Sequence, residues 1–370
     1  MQNNGFFVGY LRVEASLLRK IIHCDADCFF AAIEMRDDPS LRHLPIAVGG
    51  SADRRGVIST CNYEARRYGV HSAMPSATAR RLCHDLIILP HRMDVYREVS
   101  LHMRHIFYEY TDLVEPLSLD EAFLDVTDSP YCDGSATRIA QLIRSRIERD
   151  LGITVSAGVA PNKFLAKVAS DWKKPDSLFV ITPKQVEHFV QQLPVRKIHG
   201  VGKATAARLA EMNVNTCGDL QKFSVFELCQ RYGQFGQRLY DLSRGRDERQ
   251  VIPSRRRKSL SVEHTYPQDL PDLPHCLNQF PELLQTLASR LRRLEDDYQV
   301  VKIFVKLKFA DFSSTTVERA GQSLSMVDYQ TLCAQAFERG NHCPVRLLGV
   351  GVRFVDLRED QAFYQLDLFD

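Results

Sequence analysis

The sequence predicts a multidomain α+β protein, and three observations carry that prediction. Its 370 residues exceed what one ordinary core accommodates, so two or three domains are expected. Apolar residues make up 44% and charged residues 25%, the balance of a globular chain, and no apolar run approaches the ~18 residues of a membrane span. Finally, with residues 28–93 set aside, the first half alternates as strand, helix, hairpin, helix, strand, helix, strand. That order builds one sheet, with helices expected on one face.

The first strand is Lys20–Asp27, with Ile22, Cys24 and Ala26 on one side and His23, Asp25 and Asp27 on the other. A helix follows over Cys28–Met35. Residues 36–93 mix short strands (Pro45–Val48, Gly56–Ser59) with arginine-bearing helical pieces; in the run Thr60–Arg67, Tyr63 and Arg66 together suit phosphate contacts, although in isolation the run equally reads as a solvated helix with an exposed arginine pair. Asp94–Tyr110 has helical periodicity. Pro116–Val126 then alternates like a hairpin, with Asp120 and Glu121 at its tip. Adjacent strand residues face opposite ways, so both acids serve one site only if the backbone bends there. An isolated Asp–Glu pair is ordinarily a solvated turn. Ser135–Asp150 is a helix stopped by Gly152, Ile153–Val159 a strand, Asn162–Asp171 a helix capped by Asn162, and Leu178–Ile181 a short strand.

Charge is unevenly spread. Residues 184–258 hold 15 Lys and Arg against 7 Asp and Glu, a local excess of +8 in a chain of net charge +2. This section reads as helical, and Gly200-Val201-Gly202-Lys203 precedes the helix Ala204–Glu211, exposing amides that suit a phosphate. A basic helical section points to a polyanion partner. Ser254–Lys258 reads as an exposed linker. Beyond it, helices over Leu283–Leu294 and Thr331–Arg339 and strands over Val300–Phe309 and Val345–Phe354 form a second α/β domain. Lys302, Lys306 and Lys308 lie on one strand face, which is either simply solvated or able to track a DNA backbone. The acidic tail ends in Gln365, Leu366, Leu368 and Phe369, the pattern of a peptide that docks in a groove. Ten cysteines without paired spacing and no secretory leader read as reduced, cytoplasmic thiols.

Asp25, Asp120 and Glu121 belong to one sheet, without a histidine or cysteine ligand cluster. Tyr63, Arg66 and Lys174 supply cations and a hydroxyl for a triphosphate. Together they suit two divalent cations and phosphoryl transfer to a 3′-hydroxyl.

These stretches resemble one family. His23–Ala31, Gly56–Thr60, Asn62-Tyr63 with Ala65-Arg66, Ser118–Ala122 and Ser156–Ala160 are similar to the Y-family DNA polymerases. Ala166-Lys167 with Ser170-Asp171, Lys174-Pro175, Gly200–Gly202 and Thr216–Leu220 continue the resemblance from about residue 18 to 355. It implies a right-hand polymerase: a ferredoxin-like palm (18–27 and 94–183), small fingers (28–93), a helix-hairpin-helix thumb (184–247), a basic linker (248–258) and an α/β little finger (259–356). Residues 1–17 would be an N-terminal extension and 357–370 a tail carrying a sliding-clamp motif. Asp25 and Asp120, with the Ala26 carbonyl, resemble ligands for two Mg²⁺ ions, and Glu121 resembles the third catalytic carboxylate. Phe30 resembles the steric gate against a ribose 2′-hydroxyl, with Tyr96 supporting the sugar end. Thr60, Tyr63, Arg66 and Lys174 resemble the nucleotide contacts.

The implied activity is template-directed, low-fidelity translesion synthesis without proofreading, by a monomer that uses primed DNA and deoxynucleoside triphosphates. A catalytically idle, clamp-associated scaffold and a nucleotide cyclase are the rival readings. Both leave features unexplained: the scaffold has no need of three acids, and the cyclase none of a thumb or little finger.

Overall fold

The computed structural model describes residues 18–294 and 298–356. The chain divides into two compact units, one comprising residues up to Arg42 with Arg92–Pro253, the other His43–His91 with the chain from Ser254 onward.

In the first unit, Ile21–Ala26 is the middle strand of five. It pairs antiparallel with the hairpin strand Glu121–Asp125 on one side and with Val155–Ala160 on the other. Val114–Pro116 and Leu178–Val180 form the edges. Five of the six middle-strand residues are buried, because both faces of the sheet are covered. This differs from the expectation of helices on one face only. Cys24 faces the Ala136–Leu151 helix, whose Arg144 is its charged neighbour, and Met93–Tyr108 packs on that helix. The Lys163–Ser170 helix lies on the opposite face, where His23 meets Ser170. Its approach depends on Gly158, opposite His23 in the register: a Cβ there would lie 2.1 Å from the Ala166 carbonyl oxygen. Asn162 caps this helix by accepting from the Leu165 amide at 3.0 Å, and Gly152 ends Ala136–Leu151 at φ 66°.

Residues 186–242 form the expected run of short helices. Val190, Leu209, Leu228 and Leu239 share a core with Phe164 and Leu165. A strap then returns over the sheet. Asp247 accepts from the Phe164 amide at 2.9 Å, the Ile252 amide donates to Glu115 at 2.9 Å, and Arg19 donates to the Asp247 carbonyl at 2.6 Å. Beneath the strap Lys163 pairs with Glu115, both side chains 2% exposed.

The second unit holds a three-stranded sheet ordered Ile58–Cys61, Ile46–Gly49, Ile87–Leu89. A four-stranded antiparallel sheet runs Ser314–Ala320, Tyr298–Phe309, Val345–Asp356, Ser259–Leu270, backed by Phe280–Leu291 and Met326–Arg339. The sequence gives no signal for Ser259–Leu270, Ser314–Ala320 or Ile87–Leu89. The first two are largely polar and exposed, and in Ser259–Leu270 the alternation that marks a half-buried strand is confined to Leu260 and Val262. Lys302 and Lys306 are on the open face, but each is paired, with Glu318 at 3.0 Å and Glu263 at 2.9 Å. No helix among the described residues is long and apolar enough to cross a membrane.

Candidate active site

The hairpin tip lies at the centre of the first unit because its second strand pairs with Ile21–Ala26. Asp25 stands opposite Glu121 in the register, so the two carboxylates share a face, and the Ala26 amide donates to the Asp120 carbonyl at 2.9 Å. Asp120 precedes the strand, in the turn, which frees it from the alternation that would send it to the other side. The bend anticipated at the tip is therefore present.

Each carboxylate has its own surroundings. Lys174 donates to Asp25 at 2.5 Å and stands 4.0 Å from Asp27. Asp27 is buried and structural, accepting from Ser156 at 2.8 Å, Thr154 at 2.9 Å and the Asp176 amide at 2.8 Å. Glu121 pairs with Lys167 and lies 3.1 Å from His23 Nε2. Burial pushes the Glu121 carboxyl up, but the His23 and Lys167 hydrogen bonds outweigh it and bring the group down to about 2. Ser170 Oγ meets His23 Nδ1 at 2.7 Å and fixes the ring. Burial lowers the affinity of His23 for a second proton. Asp120 goes the other way: burial and the neighbouring Asp25 charge raise it against a hydrogen bond from Ser118.

Phe30, on the Phe29–Asp37 helix, stacks on Tyr96 with centroids 4.3 Å apart and planes at 15°. Tyr96 is fully buried and donates to Glu34 at 2.5 Å, and Arg92 joins Glu34 to Asp37. Phe30 is only half-buried, so it is one wall of a rigid aromatic pair. Thr60, Tyr63 and Arg66 belong to the second unit. Thr60 is on the Ile58–Cys61 strand opposite Val48, and Asn62 caps the turn Tyr63–Arg66, in which the Arg66 guanidinium lies 4.9 Å from the Tyr63 ring centroid.

Three family models match the chain. The impB/mucB/samB family model covers residues 24–171, its C-terminal domain model 257–368, and a model described as the DNA polymerase-iota thumb domain 196–247. DNA polymerase IV of Pseudomonas fluorescens (strain Pf0-1) is 60% identical over 352 residues, which is 95% of this chain and 99% of that protein. DNA polymerase IV of Ectopseudomonas mendocina (strain ymp) is 61% identical over 351 residues, again 95% and 99%. A solved Y-family DNA polymerase chimera of Dbh and Dpo4 superimposes with a TM-score of 0.81 at 28% identity, covering 90% of this chain and 98% of its own.

The chain belongs to the Y family of DNA polymerases. It is a translesion DNA polymerase, and catalysis with divalent cations is general for that family. The donor set fits such ions. Ligand-capable atoms of His23, Asp25 and Glu121 lie within 4.8 Å of one another, and Asp120, outside that group, is close enough to Asp25 for their charges to repel. Hard, oxygen-rich acids crowded in this way are stabilised by a bound cation.

The sequence motifs leave the roles of His23, Lys167, Ser170 and Ser118 unassigned. Their signal is present in the spacing. His23 alternates with Asp25 on one strand face, and Lys167 and Ser170 are three apart on one helix face. Which carboxylate they serve follows only from the strand register. The clamp motif at Gln365, Leu366, Leu368 and Phe369, like residues 1–17, lies outside the described residues.

Proposed function

We propose that Asp25 and Asp120, with the Ala26 carbonyl, hold two Mg²⁺ ions, and that Glu121 is the third catalytic carboxylate, for addition of deoxynucleotides to a primer 3′ end. The observation that carries this is the Asp25–Glu121 register with Asp120 in the adjoining turn. Bound Mg²⁺ would supply Lewis-acid stabilisation and ease deprotonation of the 3′-hydroxyl. The chain's own residues do the rest. Lys167 and His23 keep Glu121 ionised and oriented, Lys174 holds Asp25 in place, and Lys174, Thr60, Tyr63 and Arg66 are assigned to the incoming nucleotide. Phe30, kept rigid by Tyr96, is the assigned gate against ribose.

Residues 18–27 and 94–183 are read as palm, 28–93 as fingers, 184–247 as thumb and 259–356 as little finger. Residues 365–370 are read as a sliding-clamp ligand, with low-fidelity synthesis by a cytoplasmic monomer lacking a proofreading activity. Primer extension on a defined template decides the central assignment. Wild type should extend with Mg²⁺ and stop with a chelator, and Asp120→Ala extending as well as wild type would remove the metal assignment. Removing residues 365–370 should abolish stimulation by a sliding clamp while leaving clamp-free extension intact; equal loss of both would mean the tail is structural.

A further inference from the structure

One ammonium, that of Lys174, faces two claims: the Asp25 carboxylate and the triphosphate assigned to it. It donates to Asp25 Oδ1 at 2.5 Å, and the two side chains are only 15% and 23% exposed. At that distance it occupies one of the two oxygens through which Asp25 would ligate a divalent cation. A metal ion and an ammonium against the same carboxylate repel each other, and partial burial leaves little water to screen them. Lys174 and the metal are therefore competitors for Asp25.

An exchange needs a side chain that can leave and a backbone that stays. The turn carrying Lys174 is pinned just beyond it. The Asp176 amide donates to Asp27 at 2.8 Å, and Arg144 donates to the Asp176 carbonyl at 2.8 Å while its Nε holds the Val155 carbonyl at 2.9 Å. Lys174 itself is held through its ammonium, at Asp25 and, at 4.0 Å, at Asp27. Asp27 also accepts from Ser156, Thr154 and the Asp176 amide, so its oxygens keep their hydrogen bonds when the lysine moves. Asp25 lines a cleft of about 630 Å³ beside Lys167 and His199, which gives a cation a route to the carboxylate.

We propose that Lys174 is a built-in competitor of the divalent cation at Asp25, displaced when the metal binds and taken up by the triphosphate. The proposal rests on the polymerase reading and deepens it by giving the site an order of assembly. Metal and nucleotide each favour the departure of the lysine from Asp25, so each binds more tightly in the presence of the other. A cation arriving alone has to displace the lysine, which weakens its hold until the nucleotide is there.

Manganese binding to the full-length protein, followed by the paramagnetic resonance of the free ion with neither DNA nor nucleotide present, tests it. Lys174→Met keeps most of the side chain without its charge and should bind Mn²⁺ about tenfold more tightly than wild type. Lys174→Arg retains a competing cation and should bind it as weakly as wild type does. The gain should vanish when Asp25→Asn is added to Lys174→Met, which locates it at Asp25. A deoxynucleoside triphosphate supplied without primer should tighten Mn²⁺ binding by a larger factor in wild type than in Lys174→Met. Where the methionine variant is less stable, Mn²⁺ should still raise its melting temperature by more than that of wild type. A lysine that merely orients Asp25 predicts the reverse, so equal or weaker Mn²⁺ binding by Lys174→Met overturns the proposal. A gain that survives Asp25→Asn overturns it as well. Failure of wild type to extend a primer, with the manganese results as expected, would remove the polymerase reading and leave the competition at Asp25 standing.

Discussion

Asp25 and Glu121 stand directly opposite each other across two antiparallel strands, and each carries its own lysine, Lys174 and Lys167. Two acids on one face with separate counter-cations are an arrangement that can release its oxygens to another cation without dissolving the site. Glu121 is additionally anchored through His23 to Ser170, so its orientation survives even where its lysine moves.

Loss of charge at these positions should therefore separate binding from chemistry. Glu121→Gln is expected to cut the incorporation rate by about 100- to 10,000-fold while DNA affinity is retained. Single-turnover incorporation and anisotropy on the same variant check this. A parallel loss of DNA affinity would mean that the residue supports the fold rather than the reaction.

The stack of Phe30 on Tyr96 predicts a graded loss of sugar discrimination. Phe30→Ala should admit ribonucleotides, and unchanged selectivity would remove the gate assignment. Tyr96→Leu should relax selectivity partially, since an aromatic pair contributes about 0.5–1.5 kcal/mol beyond its burial. Tyr96→Phe retains the stack but strands Glu34 without its hydroxyl donor, and should cost stability more than selectivity. Ratios of ribo- to deoxynucleotide incorporation distinguish these outcomes.

The buried Lys163–Glu115 pair under the strap gives a stability prediction. Lys163→Met or Glu115→Leu alone should destabilise by about 3–5 kcal/mol, because each leaves an uncompensated charge at 2% exposure. The double replacement should recover much of that loss. Urea unfolding of the three variants measures the coupling, and simple additivity would mean the charges do not act as a pair.

Asp247 sets an acid limit. Burial raises its carboxyl, but Arg249 and the Phe164 amide hold it below its ordinary value. A depressed folded value means stability that is complete above the unfolded value and lost as pH falls through the folded one. Wild type should thus lose stability below about pH 4, and Asp247→Asn, already deprived of that contribution, should show a flatter dependence there. Thermal melts across that range suffice, and identical slopes would exclude the linkage.

Gly158 offers a test of how the Lys163–Ser170 helix reaches the site. Gly158→Ala should destabilise by about 1–3 kcal/mol through overpacking against the Ala166 carbonyl and the Ser170 amide. It should also lower incorporation, since Lys167 and Ser170 ride on that helix. Stability loss without any kinetic effect would show that the helix position does not matter to Glu121.

The sequence by itself determined the acids, the hairpin that carries them and the family. Alternation around Pro116–Val126, the Asn162 cap, the Gly152 stop and the motifs from His23 to Leu220 are local, and local chemistry is legible along a chain. It also flagged Phe30 with Tyr96 and the basic section of residues 184–258. Tertiary structure alone decided which acid meets which base. The pairing of His23 and Lys167 with Glu121, and of Lys174 with Asp25, depends on strand register and on a helix crossing the second face of the sheet.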